Sequence, residues 1–151
     1  MRRIDYIVIA GILLAVTVCF AVPTSITYQG TVTSEGINFQ GTGYFKFAIV
    51  DDPVLPTVSY WSHDGSSVAG SEPSVPLNVS VTDGLYHISL GQTPQEPMDA
   101  TLFTNDPLYL RIWFSDGVNG FQMLSPDQPI LSTGFALNAD TVDGIHGTDL
   151  E

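Results

Sequence analysis

Leu108-Tyr109-Leu110-Arg111-Ile112-Trp113-Phe114-Ser115 is the stretch whose spacing decides the fold. In an extended chain Leu108, Leu110, Ile112 and Phe114 share one face, and Tyr109, Arg111 and Trp113 share the other. A helix would scatter the same residues around its circumference, so the pattern reads as a strand with Leu108, Leu110, Ile112 and Phe114 turned to a core. Two more stretches repeat it. Phe45, Phe47 and Ile49 alternate with Tyr44, Lys46 and Ala48, and Tyr86, Ile88 and Leu90 alternate with His87 and Ser89, which are left outward. Faces of this kind are buried when two sheets pack against each other, and each large side chain so buried contributes about 1.5–3 kcal/mol.

Outward from these three, short apolar or alternating runs are separated by clusters of Gly, Pro, Asp, Asn and Ser, and no stretch holds a helical period for long. The expected strands are Ile26–Thr33, Thr42–Val50, Thr57–Trp61, Pro76–Val81, Leu85–Leu90, Leu108–Ser115, Gly120–Leu124 and Ile130–Leu137. The fold class is therefore all-β, a single antiparallel β-sandwich of about seven to eight strands. Thr82-Asp83-Gly84 is placed as a tight hairpin turn, and Ser115–Gly120 as a second one, because Asp-Gly and Asn-Gly pairs accept positive φ cheaply. Two loops are long, Ser62–Ser74 and Gly91–Pro107, and loops on a rigid β scaffold are where binding function often resides. Within the second, Met98–Phe103 has the composition of one helical turn plugging the sandwich edge.

The amino end, MRRIDYIVIAGILLAVTVCFAV (residues 1–22), sets two arginines before an apolar run from Tyr6 to Ala21, with small Ala21 two residues ahead of Pro23. That layout is a secretory signal, residues 1–21, cleaved after Ala21. A retained anchor is the alternative, although the run falls slightly short of the roughly 18 apolar residues that span a bilayer. Either way the rest of the chain is expected outside the cytoplasm, extracellular or at the cell surface. Val16, Thr17 and Val18 do not suit a lipoprotein-type Cys19, so the exported part is expected to carry neither thiol chemistry nor a disulfide. Residues 22–137 form the β-sandwich domain and 138–151 a tail, either flexible and polar or an ordered segment that starts a stalk.

The net charge is −12, and beyond Arg3 only Lys46 and Arg111 are basic. A polyanion must be neutralised by Lys and Arg, so neither nucleic acid nor an anionic membrane surface is an expected partner. Acidity of this kind keeps an exported protein soluble.

The order Ile26-Thr27-Tyr28-Gln29-Gly30, Gly43-Tyr44-Phe45-Lys46-Phe47, Tyr60-Trp61-Ser62, Asp83-Gly84-Leu85-Tyr86-His87-Ile88-Ser89-Leu90-Gly91 and Leu108-Tyr109-Leu110-Arg111-Ile112 resembles a recurring exported bacterial β-sandwich module. Leu124–Ser132 and Phe135-Ala136-Leu137-Asn138-Ala139-Asp140 extend the resemblance over about residues 25–145, with Phe135 where tyrosine is common and Asp127 where a basic residue is common. Asn138–Gly147, which contains Ala139-Asp140-Thr141-Val142-Asp143-Gly144-Ile145-His146-Gly147, is similar to a segment of phage tail fibres and related trimeric surface fibres. The resemblance implies a non-enzymatic structural or adhesion-type module of a cell-surface or fibre-like protein, with a homotrimer as one assembly it allows. No catalytic residues come with it.

Other readings start from individual residues. A carbohydrate-binding or protein-binding module would use Trp113 and Tyr109, flanked by Arg111, as an exposed platform for a glycan or protein ligand, since sugars stack on open aromatic rings. The same three side chains can instead bury together under a loop or a second subunit. Asp140, Asp143 and Asp149 are candidate ligands for Ca2+, but an EF-hand register with Gly144 at position six leaves Ala139 at position one and Leu150 at position twelve. No other cofactor is expected. Asp51 with Asp52, and Asp116 with Asn119, could bridge a divalent ion between loops, although such residues more often form turns. Asn78-Val79-Ser80 meets the N-glycosylation pattern but is given no role in a bacterial product. For catalysis, His63 and Asp64 lie beside Ser62 and Ser66, yet sequence neighbours in a loop rarely hold nucleophile geometry, and no Gly-x-Ser-x-Gly or His-Glu-x-x-His motif is present. The protein is read as not an enzyme.

Overall fold

The computed structural model of the chain describes residues 25–131. The expected signal, the tail and most of the Ile130–Leu137 strand lie outside the described residues. Within them the strands are β1 (Ile26–Thr31), β2 (Thr33–Ser34), β3 (Ile37–Asn38), β4 (Gly41–Val50), β5 (Ser59–Ser62), β6 (Leu77–Val81), β7 (Leu85–Leu90), β8 (Tyr109–Ser115), β9 (Gln122–Met123) and β10 (Gln128–Pro129). The fold is all-β and antiparallel. β4 and β8 form the centre of a six-stranded sheet, with β5 and β6 on the far side of β4 and β9 and β10 along the far edge of β8. The register sets Phe45 opposite Phe114, Phe47 opposite Ile112 and Ile49 opposite Leu110, so the alternating residues of both strands make one continuous apolar surface.

A two-stranded ribbon, β1 with β7, covers that surface. Tyr86 is fully buried against it, its ring centroid 4.3 Å from that of Phe45, and Leu90, Met98 and Leu102 close the end. Met98 leads into a single 3-10 turn, Ala100–Thr104, capped by the Asp99 carboxylate, which accepts from the Thr101 N–H. This is the expected edge plug. Phe45, Phe47, Phe114 and Tyr86 form a cluster of rings with neighbouring centroids between 4.3 and 5.9 Å apart, distances at which aromatic pairs are attractive.

The structure departs from the sequence reading in two places. The Thr82–Leu85 turn is present, with both residues exchanging backbone hydrogen bonds and Asp83 and Gly84 at φ 50° and 80°. Its two strands then part, however: β6 runs on against β4 and β7 runs on against β1, so the turn is a corner joining the two sheets. The Gly120–Leu124 strand shrinks to the two residues of β9, and β10 pairs with β8 at Gln128 and Pro129, just ahead of the expected Ile130 start. Pro129 lacks an N–H, which confines this pairing to a sheet edge. The second face of the large sheet, read from sequence as either an exposed platform or a packed surface, is covered. Lys46, Ala48 and Val50 on β4, and Arg111 and Trp113 on β8, are all buried, with Tyr109 and Phe121 packed at the margin.

Candidate functional site

What covers that second face is the pair of segments that carry most of the sequence-level site candidates. Arg111 projects from β8 opposite Ala48 and is only 6% exposed. Its Nε donates to Oδ2 of Asp127 at 2.9 Å, and Nη2 lies 2.8 Å from the same oxygen as an ion pair. Nη2 also donates to the Pro53 carbonyl at 2.9 Å, and Nη1 to the Gly70 carbonyl at 3.3 Å. One guanidinium thus ties three loops, around residues 53, 70 and 127, to the centre of the sheet. The planar fork with several fixed donors is what makes this possible, and lysine could not reproduce it. Asp127 supplies the counter-charge.

Trp113 lies next to Lys46 in the register and is 5% exposed. Its ring therefore has no open face on which a sugar could stack, and the exposed-platform reading of Trp113, Tyr109 and Arg111 is corrected to a packed one; Tyr109 alone keeps partial exposure. The cause is local. Pro53, Gly70, Phe121 and Asp127 all approach this face, and long Arg and Lys stems pack on apolar surface while their heads find partners. Lys46 does the same: its Nζ donates to Glu72 at 2.6 Å and sits 4.0 Å from the Phe121 ring centroid, a cation–π distance.

The Ser62–Ser74 loop is built around Asp64. Its carboxylate accepts from the Ser62 hydroxyl, the Ser66 N–H and hydroxyl, and the Val75 N–H. Partial burial pushes the Asp64 carboxyl up, but these hydrogen bonds and the nearby His63 overcome it and hold the group well below the usual carboxylate range. His63 is 3% exposed. Its Nδ1 lies 3.2 Å from both the Phe47 N–H and the Phe47 carbonyl, and its Nε2 bonds with the Val75 carbonyl. Ser62 Oγ bonds to Asp64 and accepts from the Ser67 N–H. The residues that sequence reading weighed as a nucleophile constellation are thus brought together, but as a loop scaffold in which the histidine is committed to backbone groups and no serine bonds to it.

Asp51 and Asp52 act as turn residues. Asp51 accepts from the Thr57 and Val58 N–H groups and the Thr57 hydroxyl, and these bonds, the Thr57 hydroxyl first, lower its carboxyl to about 2. Asp52 accepts from the Val54 and Leu55 N–H groups. The result is a stiff loop holding Val54 and Leu55 out into solvent at 79% and 78% exposure. Asp116 likewise accepts from the Val118 and Asn119 N–H groups and the Ser34 hydroxyl. Among the described residues no cluster of three His, Cys, Asp or Glu side chains is placed to hold a metal ion. The calcium candidates Asp140, Asp143 and Asp149 lie outside the described residues.

One concave feature among the described residues is a seam where β1 faces the edge of the large sheet. It consists of two adjoining grooves of about 480 and 420 Å3 that share Thr33 and Leu124. One contains Glu35 and Asp116; the other is uncharged, with Tyr28, Gly30, Tyr86, Leu110 and Ile112 among its walls. Burial, above all, pushes the Tyr86 phenol well above its ordinary value. Sequence reading missed the seam because it arises from how few strands the smaller sheet has, a property of pairing rather than of pattern.

Packed loops pinned by two internal ion pairs on a compact antiparallel sandwich define a small β module with no deep cleft among the described residues. Residues 27–127 match the model of a domain of unknown function, DUF8740, and the chain belongs to that family. No curated protein and no solved structure matches it.

Proposed function

We propose that this protein is an exported, non-enzymatic structural or adhesion-type module acting at a cell surface or in a fibre-like assembly. The observation that carries the reading is the fate of its cations. Lys46 and Arg111 are the only basic residues beyond Arg3, and both are buried in ion pairs that hold loops in place. The outer surface is left acidic and the loops stiff, which suits a robust, soluble module outside the cell and disfavours nucleic acid and anionic membranes as partners. The apolar segment before Pro23 supports export.

A protein ligand is the second reading, favoured over a glycan by the Val54–Leu55 tip. Two large apolar side chains displayed on a loop stiffened by Asp51, Asp52 and Arg111 have the preorganisation of a protein contact. The test is the solution mass of residues 22–151 by light scattering with and without calcium, beside binding of wild type and Val54→Ser/Leu55→Ser to host-cell surfaces. A trimer, or surface binding lost in the variant, is expected. A calcium-indifferent monomer that binds no surface would overturn the reading.

A further inference from the structure

We propose that the small pocket between β5 and the Ala100–Thr104 turn binds a primary alkylammonium ion, the lysine side chain of a partner protein. The inference does not depend on the proposed function.

The pocket holds about 210 Å3 and has apolar walls from Trp61, Pro97 and Leu102, with the Tyr60 ring beside them at 37% exposure. Asp99 and Asn105 bring its polar atoms. It lies at β5, whereas the chain leaves the described residues beyond β10, at the other end of the strand order of the large sheet.

Its hydrogen-bonding groups say what it can take. Trp61 Nε1 donates to the Glu96 carbonyl at 3.0 Å, and the Thr101 N–H and hydroxyl both donate to Oδ1 of Asp99 at 2.8 Å. The Asn105 amide nitrogen donates to the Leu102 carbonyl at 2.9 Å and to the Thr101 carbonyl at 3.3 Å. Both neighbours of that nitrogen are carbonyl oxygens, which settles the orientation of the amide. The side-chain donors of Trp61, Thr101 and Asn105 are thus spent inside the protein. Oδ2 of Asp99 and Oδ1 of Asn105 are left as acceptors without a partner among the described residues, beside the Tyr60 hydroxyl, which can serve either way.

A sugar hydroxyl both gives and receives hydrogen bonds, and this set offers it chiefly acceptors. An ammonium only gives: it has three N–H donors for carboxylate and carbonyl oxygens, and a positive charge for the face of an aromatic ring. A quaternary ammonium would leave the two oxygens unanswered, so the match is to a primary one. The apolar stem of a lysine suits the Trp61, Pro97 and Leu102 walls. Asp99 is ionised for the purpose, because bonds from the Thr101 N–H and then its hydroxyl hold the carboxyl below its ordinary value. No cation of the described residues competes for it, since Lys46 and Arg111 are held by Glu72 and Asp127.

The experiment titrates isotope-labelled residues 22–151 with the peptide acetyl-Gly-Lys-Gly-amide and follows amide chemical shifts. Saturable shifts centred on Tyr60, Asp99 and Asn105 are expected, with a Kd in the millimolar range for so small a probe. The same peptide with norleucine in place of lysine is expected to bind at least tenfold more weakly. Asp99→Asn, which keeps a side chain able to cap the turn, should also weaken the lysine peptide at least tenfold, and Tyr60→Leu at least threefold, with the other amide shifts unchanged. Equal binding of the norleucine peptide, or shifts spread over the other acidic loops, would overturn the proposal. So would an absence of shifts at these three residues, or a response there to methyl glucoside and not to the lysine peptide. If Asp99→Asn disturbs the fold, Tyr60→Leu and the norleucine peptide decide.

Discussion

A single oxygen of Asp127, Oδ2, accepts from the Nε of Arg111 and lies 2.8 Å from its Nη2, with the two side chains 7% and 1% exposed. Burying either charge alone would be costly, because an ion in a low-dielectric interior has lost its hydration. The pair is also the point at which the last described loop is fastened to the sheet.

Asp127→Ala is therefore expected to destabilise the fold by about 3–5 kcal/mol, since it leaves a buried guanidinium without its carboxylate. The double variant Arg111→Met/Asp127→Leu should lose much less than the sum of the single changes. Arg111→Lys should behave like a loss, because one ammonium cannot reach Asp127, Pro53 and Gly70 together. Urea denaturation of the four proteins, read as a double-mutant cycle, checks this; additive losses would mean the pair is not coupled.

Lys46→Met is expected to change stability by less than about 1.5 kcal/mol, as the stem's packing is kept and Glu72 can turn to water. Lys46→Ala should cost more by removing contacts with Phe121. Denaturant midpoints of the two variants separate packing from charge.

Acid should loosen the Asp51–Val58 turn before the core. The folded Asp51 carboxyl sits at about 2, below its ordinary 3.8, so its contribution is complete above the ordinary value and is lost as pH falls toward the folded one. Asp64 and Asp116 are lowered as well, and their loops follow at still lower pH. Amide exchange at Thr57 and Val58 between about pH 4 and pH 2 is the readout. Unchanged protection there would mean that the carboxylate bonds do not hold the turn.

Gly84→Ala should cost about 1 kcal/mol or more, because the position needs positive φ and an added Cβ would stand 3.0 Å from the Val32 carbonyl oxygen. The thermal midpoint is expected to fall while far-UV circular dichroism keeps its β form.

The central strands were legible because their alternation is clean: β7 has the bounds read from its sequence, and β4 and β8 differ by one residue at an end. Their inner faces were legible for the same reason. The outer face was left between an exposed platform and a packed surface, because the acids that partner Lys46 and Arg111, Glu72 and Asp127, come from distant loops. Period-two spacing separates two faces without saying whether both are covered. The Thr82–Leu85 turn shows a similar limit: Asp-Gly chemistry fixes the turn, whereas which sheet each arm joins is decided by partners far away in sequence. The Ser62–Asp64 neighbourhood was weighed as a nucleophile constellation and set aside; its chemistry is backbone satisfaction around a buried His63, which residue types alone do not reveal.

With Lys46 and Arg111 both turned inward, the exterior contributed by the described residues has one electrical sign, apart from what its histidine contributes. Copies meeting through their acidic faces would repel, and multivalent cations between them would ease that repulsion. Ionic composition of the surroundings would then govern how densely such molecules can be laid side by side, even though nothing inside any one of them responds to it.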